Sequence, residues 1–142
     1  MENKRIGFEV RVLSNLIHRK INQMVTEEEE TLTALQAWVL GFLVRQGERE
    51  TVQKDIEKEF SIRRSTASHM LTLMENNGYI TRVPVPKDAR MKRIVLTEKG
   101  RQAQRRMADR LKRFELIMSS GITDGELDAF FAMLRRFEQN IQ

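Results

Sequence analysis

The sequence of 142 residues contains no cysteine, only two prolines and seven glycines, and one residue each of tryptophan and tyrosine. Without cysteine, disulfides, iron–sulfur clusters, zinc fingers and thiol-based redox sensing are excluded. The scarcity of proline and glycine argues against a flexible linker. No apolar run approaches the length of a membrane span, and the charged first residues do not resemble a signal peptide. We therefore expect one domain over residues 1–142, located in the cytoplasm and without a membrane segment.

The charges that are present favour an anionic partner. Lysine and arginine number 25 against 20 aspartates and glutamates, which gives a net charge of +5. Hydrophobic residues make up 40% of the chain and the mean hydropathy is -0.50, as in a globular protein that buries a core. A basic surplus of this size is compatible with a nucleic acid as partner.

Helical periodicity dominates both ends of the chain. A first helix is predicted over about 4–25, because apolar residues recur at steps of three or four positions. The glutamates at 27–30 are predicted to form a solvated connection, since negative charge is unfavourable at a helix C-terminus. A long fifth helix is predicted to begin at Thr97, and a sixth at Thr123, which has capping-box spacing with Glu126.

These terminal helices carry apolar stripes with no evident partner in the middle of the chain. The stripes must pack against each other or against a second subunit. We expect residues 1–33 and 98–142 to form the dimerisation helices of a homodimer. The alternative is an internal four-helix packing within a monomer. The stripe residues are Ile6, Val10, Leu13, Ile17, Ile21 and Met24 in the first helix and Leu127, Phe130, Phe131, Leu134, Phe137 and Ile141 in the sixth.

The middle of the chain begins with two further helices. The second helix is predicted to start at Thr33, which has capping-box spacing with Gln36, and to end at Gly47. A short third helix is predicted to follow Thr51 as its N-cap. Residues 61–63 then form the turn to a fourth helix. A short helix, a tight turn and a second helix are typical of a helix–turn–helix.

The fourth helix, predicted over 64–77 and ended by Gly78, has two distinct faces. One face is apolar and consists of Ala67, Met70, Leu71 and Met74. The opposite face carries small hydrogen-bonding groups, and arginines stand at the helix entry. Small polar side chains let a helix enter the major groove and reach base edges. An ordinary amphipathic helix with a hydroxyl-rich outside is the alternative. The outer face consists of Ser65, Ser68, His69, Thr72 and Asn76, with Arg63 and Arg64 at the entry.

A basic hairpin is predicted directly after this helix. The pattern indicates strands at 80–85 and 92–96, joined by a turn-rich tip at 86–90. Such a hairpin beside a candidate recognition helix is typical of a wing, whose tip can place an arginine in a narrow minor groove. The alternative is a solvated charged turn. The hairpin contains Arg82, Lys87, Arg90, Lys92 and Arg93 against the single acid Asp88.

Four segments resemble the MarR family. Asp88-Ala89-Arg90 followed by residues 94–100, Ile-Val-Leu-Thr-Glu-Lys-Gly, looks like that family's wing signature running into its long helix. Residues 64–68 and 73–80 resemble the family's recognition helix and its exit into the wing. The resemblance extends over nearly the whole chain. It implies a mainly α-helical fold, with a winged helix–turn–helix core over 34–97 and terminal helices that form a dimer.

The resemblance also implies roles for individual residues. Arg90 would be the minor-groove arginine, and Asp88 would hold it or a nearby basic group in place. His69 stands where many relatives carry arginine, so a base contact at this position stays open. The residues expected to bind DNA are Thr51, Gln53 and Lys54 at phosphates; Ser65, Thr66, Ser68, His69 and Thr72 in the major groove; Arg63 and Arg64 at the helix entry; and Arg82, Lys87, Arg90 and Lys92 in the wing.

Other kinds of site have weaker support in the sequence. Trp38, Phe42 and Met107 are predicted to be core residues; alternatively, with His18, they line a pocket for a small aromatic or anionic effector. The two histidines lie in different segments, and a metal site would need the glutamates at 27–30 or other carboxylates, so no metal or other cofactor is expected. No nucleophile stands beside a His/Asp pair and no glycine-rich phosphate loop occurs, so no enzymatic activity is expected.

Taken together, these patterns predict a sequence-specific regulator of transcription that binds double-stranded DNA as a homodimer. Its operator would be pseudo-palindromic, with half-sites about 10 bp apart. A repressor that responds to a ligand fits the resemblance best. The alternatives are a winged-helix module for protein–protein assembly and a non-specific architectural DNA binder. A salt titration against random duplex DNA distinguishes the first alternative from DNA binding.

Overall fold

The computed structural model describes residues 4–26 and 31–142, in two compact units that comprise residues 1–109 and 110–142. The glutamates at 27–30 lie outside the described residues. Helices dominate and the strands form one antiparallel hairpin, which confirms the predicted fold class. None of the described helices is both long enough and apolar enough to cross a membrane. The elements are α1 (Ile6–Thr26), α2 (Ala34–Gln46), α3 (Gln53–Phe60), α4 (Arg64–Asn76), β1 (Ile80–Val85), β2 (Asp88–Leu96), α5 (Glu98–Met118) and α6 (Asp124–Ile141).

Helix α2 starts and ends as the sequence predicts. The Thr33 hydroxyl accepts the backbone N–H of Gln36 at 3.2 Å, and the Gln36 side-chain oxygen accepts the backbone N–H of Thr33 at 3.1 Å. Gly47 ends the helix with φ 59°, a conformation that is readily available to glycine. Most of the helix is buried, so it forms the centre of the first unit.

The N-terminus of α3 differs from the prediction that Thr51 caps it. Val52 occupies the N-cap position, and its backbone N–H is accepted by the Asp55 carboxylate at 2.9 Å. The backbone of Thr51 instead pairs with β2, because its carbonyl accepts the N–H of Ile94 at 2.7 Å. Thr51 is only 3% exposed, so the prediction that it caps α3 is wrong and its side chain is not presented to a phosphate.

Helices α3 and α4 are joined by a tight turn and share a core. Ser61 adopts φ 50° and ψ 49° in this turn. Ile56 of α3 is fully buried, and α4 turns its apolar face inward. The predicted division of α4 into two faces is confirmed, because its buried residues are Ala67, Met70, Leu71 and Met74.

The hairpin is longer in β2 than the sequence pattern indicates. The strands pair from Ile80 with Leu96 to Pro84 with Lys92, and the register then shifts so that Val85 pairs with Asp88. The turn is therefore Pro86-Lys87 alone, and the predicted tip over 86–90 is wrong. The strand takes up the additional residues as a bulge, which alternation of apolar residues does not reveal.

The junction between α4, the hairpin and α5 explains the segment Thr-Glu-Lys-Gly. The Thr97 hydroxyl donates to the carbonyl of Gly78 and accepts the N–H of Gly100 at 3.0 Å, so it caps α5 and ties it to the end of α4. The Lys99 ammonium donates to the carbonyl of Asn77 at 2.6 Å. These bonds fix the start of α5 against the exit of the helix–turn–helix.

The unit over residues 110–142 contains the end of α5 and all of α6. The predicted capping box of α6 is confirmed: the Thr123 hydroxyl accepts the N–H of Glu126 at 3.1 Å, and the Glu126 carboxylate accepts the N–H of Thr123 at 3.0 Å. This backbone hydrogen bond from Thr123 lowers the pKa of Glu126. No residue of α6 is buried, and its apolar stripe is open to solvent.

The first unit also leaves apolar surface uncovered, on the N-terminal half of α1. Ile21 and Val25, near the end of α1, are buried, whereas the stripe residues before them are largely exposed. The exposed apolar residues of this half are Ile6, Phe8, Val10, Val12, Leu13 and Leu16. Each unit therefore presents an apolar helix surface of its own.

Candidate nucleic-acid interface

The outer face of α4 is polar and exposed along its length. Arg63, the N-cap, and Arg64, the first helical residue, are both exposed at the entry. Apart from His69, the exposed residues of this face carry small side chains. The exposed residues of the face include Ser65, Thr66, Ser68, His69 and Thr72.

The N-terminus of α3 is tied to the start of α4. The Gln53 side-chain amide donates to the backbone carbonyl of Arg64 at 3.3 Å. Lys54, the next residue, is exposed. The two helix starts thus lie side by side, and the exposed basic residues Lys54 and Arg64 at these starts suit an anion.

At the wing, Arg90 projects into solvent from a fixed backbone. The Asp88 carboxylate accepts the backbone N–H of Arg90 at 3.0 Å, and the same oxygen lies 3.5 Å from the guanidinium Nε. The Arg90 side chain nevertheless remains 93% exposed. Asp88 therefore orients the strand and the base of the side chain while the guanidinium stays accessible. Lys87, in the turn, is also exposed.

A basic cleft of about 540 Å³ lies between α3, α4 and the wing. Five basic side chains line it against two carboxylates, so its field favours an anion. The structure thus brings together residues that the sequence places in three separate elements. We call it the wing cleft; its basic residues are Lys54, Arg64, Arg82, Arg90 and Lys92, and its acids are Glu57 and Asp88.

Arg82 differs from the other basic residues of the wing cleft because it is bound within the protein. Its guanidinium donates to the Glu75 carboxylate at 3.1 Å and to the Thr72 hydroxyl at 3.3 Å. Its backbone N–H donates to the other Glu75 oxygen at 3.0 Å. The expectation that Arg82 and Thr72 are both available to DNA therefore needs revision: in this structure they contact each other.

The pKa of Glu75 reflects this contact. The hydrogen bond from the Arg82 side chain lowers it below the ordinary value of 4.5, against a smaller opposing effect of burial. Glu75 is therefore charged at neutral pH. A carboxylate with a lowered pKa stabilises the fold above its unfolded-state pKa, and this contribution is lost as the pH falls through the lowered value. The sequence offered one signal for this pair: Glu75 is the only acid on a helix whose outer face is otherwise uncharged.

The four residues suggested for an effector pocket fall into different surroundings. The rings of His18 and Trp38 meet edge to face with centroids 5.4 Å apart, and His18 Nδ1 lies 2.7 Å from the Ser14 carbonyl oxygen. Phe42 is buried and packs edge to face on Phe60 of α3. Met107 is also buried. The predicted core positions of Phe42 and Met107 are confirmed, and His18 and Trp38 form a half-buried pair.

Within residues 4–26 and 31–142, no group of three or more histidine and acidic side chains is arranged to hold a metal ion. The glutamates at 27–30, which the sequence offers as possible ligands, lie outside this part of the chain.

Comparison with known proteins finds similarity to bacterial regulators. The sequence model of the MarR family matches residues 30–91. A relative from Bacillus subtilis (strain 168), the uncharacterized HTH-type transcriptional regulator YybA, is 26% identical over 91 residues. That match spans 64% of this chain and 61% of the length of the relative.

Solved structures extend the similarity to nearly the whole chain. The transcription regulator MarR from Oenococcus oeni PSU-1 is similar with a TM-score of 0.79 at 27% identity, over 95% of this chain and 99% of that one. S. aureus MepR, solved as a DNA complex, has a TM-score of 0.88 over 100% of both chains, and its 22% identity supports the fold alone. The matched segment and the solved structure of a MarR protein agree: the chain is similar to the MarR family in this segment and in its winged fold.

Proposed function

We propose that the chain is a sequence-specific regulator of transcription that binds double-stranded DNA and has no enzymatic activity. The observation that carries the proposal is the wing cleft, whose lining includes Arg64 at the start of α4 and the exposed Arg90 of the wing. If α4 occupies the major groove and Arg90 the adjacent minor groove, the sugar–phosphate strand between the two grooves passes through the cleft. Its basic side chains suit that strand.

In this arrangement, different residues contribute affinity and specificity. Contacts with phosphates position the protein, whereas contacts with base edges read the sequence. We assign the phosphates to Gln53, Lys54 and Lys92, and the base edges to the hydroxyl groups of α4 and to His69. The position of His69 on the exposed face supports a base contact.

We further propose that the protein acts as a homodimer. The uncovered apolar surfaces of α1 and α6 support this, because contiguous exposed apolar patches of this kind mark interaction sites. Two-fold symmetry would present two copies of α4 to a pseudo-palindromic operator with half-sites about 10 bp apart. A cytoplasmic location follows from this function.

The form of regulation that fits best is repression relieved by a small aromatic or anionic effector. The half-buried pair of His18 and Trp38 supports such a site, because it offers an aromatic wall beside an imidazole. An effector would act by preferring a dimer in which the two copies of α4 have a different spacing.

The proposal predicts the effect of removing the wing arginine. Affinity for the operator should be on the order of 10⁻⁸ to 10⁻¹¹ M near physiological salt. Arg90→Ala should weaken binding about tenfold or more, because alanine cannot reach into the minor groove as the guanidinium does. The dependence of log K on log salt should also become flatter, by about 0.9 for each phosphate charge that the variant fails to neutralise. Fluorescence anisotropy on operator DNA selected from genomic fragments, repeated over a salt series, measures both quantities.

Arg101→Ala is the matched control, since it removes one exposed arginine outside the wing cleft. It should retain wild-type affinity for the operator. Wild-type binding by Arg90→Ala would contradict the assignment of the wing. Equal affinity for operator and random duplexes would identify a non-specific DNA binder, and no salt-dependent binding to either would favour a protein–protein module.

A further inference from the structure

We propose that Glu75 and Arg82 form an intramolecular brace that sets the angle of the wing against α4 and thereby controls operator affinity. The inference rests on the proposed function, because the angle matters only if both elements contact one duplex. Arg82 then acts as a positioning residue and not as a DNA contact. This assignment replaces the expectation that Arg82 joins the other wing residues at the DNA.

The contact holds both the backbone and the side chain of Arg82. Both carboxylate oxygens of Glu75 are engaged by Arg82, one by its backbone N–H at 3.0 Å and the other by its guanidinium at 3.1 Å. The same guanidinium nitrogen donates to Thr72 at 3.3 Å, one helical turn earlier in α4. A contact that holds the backbone as well as the side chain fixes a strand more tightly than a surface ion pair between two flexible side chains.

The brace lies at a point along the hairpin where both strands are anchored. Arg82 pairs with Ile94 across the two strands, and the Ile94 N–H donates to the carbonyl of Thr51 at 2.7 Å. A single cross-strand pair is thus anchored on both edges, to α4 through Glu75 and to the segment before α3 through Thr51. An isolated two-stranded hairpin is marginally stable in water, so its direction depends on such anchors. The part that projects beyond this pair includes Arg90.

Arg82 is far less accessible to solvent than Arg90. The Arg82 side chain is only 23% exposed, whereas that of Arg90 is 93% exposed. An arginine that reached a phosphate would have to leave both Glu75 and Thr72, and would leave the carboxylate facing the DNA. Its position and bonds therefore favour an internal role.

Substitution of Glu75 tests the brace, because loss of its charge and loss of the brace should change DNA affinity in opposite directions. Removing an acid beside a polyanion should strengthen DNA binding if Glu75 acts through its charge alone. If the brace positions the wing, Glu75→Gln should instead weaken operator binding, because the neutral amide has one acceptor oxygen in place of two. We expect a loss of about fivefold or more at physiological salt, measured by anisotropy with the same operator duplex.

Glu57→Gln is the matched control. Glu57 also lines the wing cleft, and among the described residues its carboxylate forms no ion pair. This variant makes the same chemical change near the same DNA strand without touching the brace, so the loss of a negative charge should strengthen operator binding. Unchanged or tighter operator binding by Glu75→Gln, relative to wild type, would overturn the proposal.

A second comparison separates positioning from direct contact. If Arg82 acts only through Glu75, then Arg82→Ala should cost little more in the Glu75→Gln background, because the brace is already weakened. The dependence of log K on log salt should also be the same for the double variant as for Glu75→Gln alone. Additive effects on affinity, together with a slope reduced by about 0.9, would show that Arg82 contacts a phosphate directly and would overturn the proposal.

A measurement without DNA keeps the brace distinct from the proposed function. Hydrogen exchange followed by mass spectrometry should show faster exchange over residues 83–93 in Glu75→Gln than in wild type or Glu57→Gln, with α4 unchanged. Unchanged exchange in the hairpin would overturn the brace whatever the DNA result. A wild-type protein that bound no duplex would contradict the proposed function, and the exchange result would still decide whether the brace exists.

Discussion

At the scale of single residues, Gly100 shows how a position without a side chain holds elements together. It lies in the first turn of α5, directly against the carbonyl group of Tyr79 at the exit of α4. A Cβ at this position would overlap the Tyr79 oxygen and press on the Leu96 side chain. Because the nearest atoms belong to the backbone, they cannot move aside as the end of a flexible side chain could. Glycine is therefore required for this close approach.

We expect Gly100→Ala to lower the free energy of unfolding by about 1–3 kcal/mol, the usual cost of overpacking a site that cannot relax. Chemical denaturation followed by circular dichroism measures this change. Gly7→Ala, in α1, is the control, because a Cβ there meets no atom within 4 Å. It should be neutral or stabilising by up to about 1 kcal/mol. An unchanged denaturation midpoint for Gly100→Ala would show that the junction can open at little cost.

At the scale of elements, the turn between α3 and α4 depends on one left-handed residue. Ser61 has φ 50°, and in the described part of the chain every other residue with positive φ is a glycine. The turn is closed by the backbone N–H of Ile62, which donates to the carbonyl of Glu57 at 3.0 Å. The conformation of Ser61 therefore sets the angle between the two helices of the helix–turn–helix.

Substitutions at Ser61 should follow backbone preference, because the residue is exposed. Ser61→Val should destabilise the protein by about 1–2 kcal/mol relative to Ser61→Gly, since a β-branched side chain strongly disfavours the left-handed region. Ser61→Gly itself should stay close to wild type, because relief of strain offsets the greater flexibility of the unfolded chain. Thermal unfolding of the three proteins in parallel gives the order. A valine variant as stable as the glycine variant would mean that the turn adopts another conformation in solution.

The elements also show where prediction from sequence succeeds. The capping boxes of α2 and α6 were predictable, since each depends on residues three positions apart. The N-cap of α3 was not, because Thr51 pairs with a strand that lies more than 40 positions later. The start of β2 was missed for a related reason: the bulge after Asp88 interrupts the alternation that indicates a strand.

At the scale of the whole molecule, the uncovered apolar surface is the feature that a monomer does not account for. Phe130, Phe131 and Ile141 of α6 are 41%, 50% and 87% exposed. Burial of large apolar side chains contributes about 1.5–3 kcal/mol each, so leaving several in water would be costly for a monomer. The homodimer proposed above would cover them.

A charge at the centre of this stripe should therefore separate the subunits. Phe130→Asp is expected to shift the protein from dimer to monomer at micromolar concentration, because a carboxylate at an apolar interface is left without a partner. Gln139→Asp introduces the same charge on the polar face of α6 and should leave the dimer intact. Sedimentation velocity distinguishes the two states. If both variants sedimented at the same rate as the wild type, α6 would not form the interface.

The helices, the two faces of α4 and the basic composition of the hairpin were predictable, because each follows from residues that are close along the chain. Periodicity and capping act over one or two helical turns, so one sequence is enough to predict them. The burial of Thr51 against β2, and the binding of Arg82 to Glu75 while Arg90 remains exposed, depend instead on contacts between distant parts of the chain. Two arginines of one hairpin can differ in exposure, because packing brings different side chains beside each of them. The composition of the hairpin does not show which side chains these are.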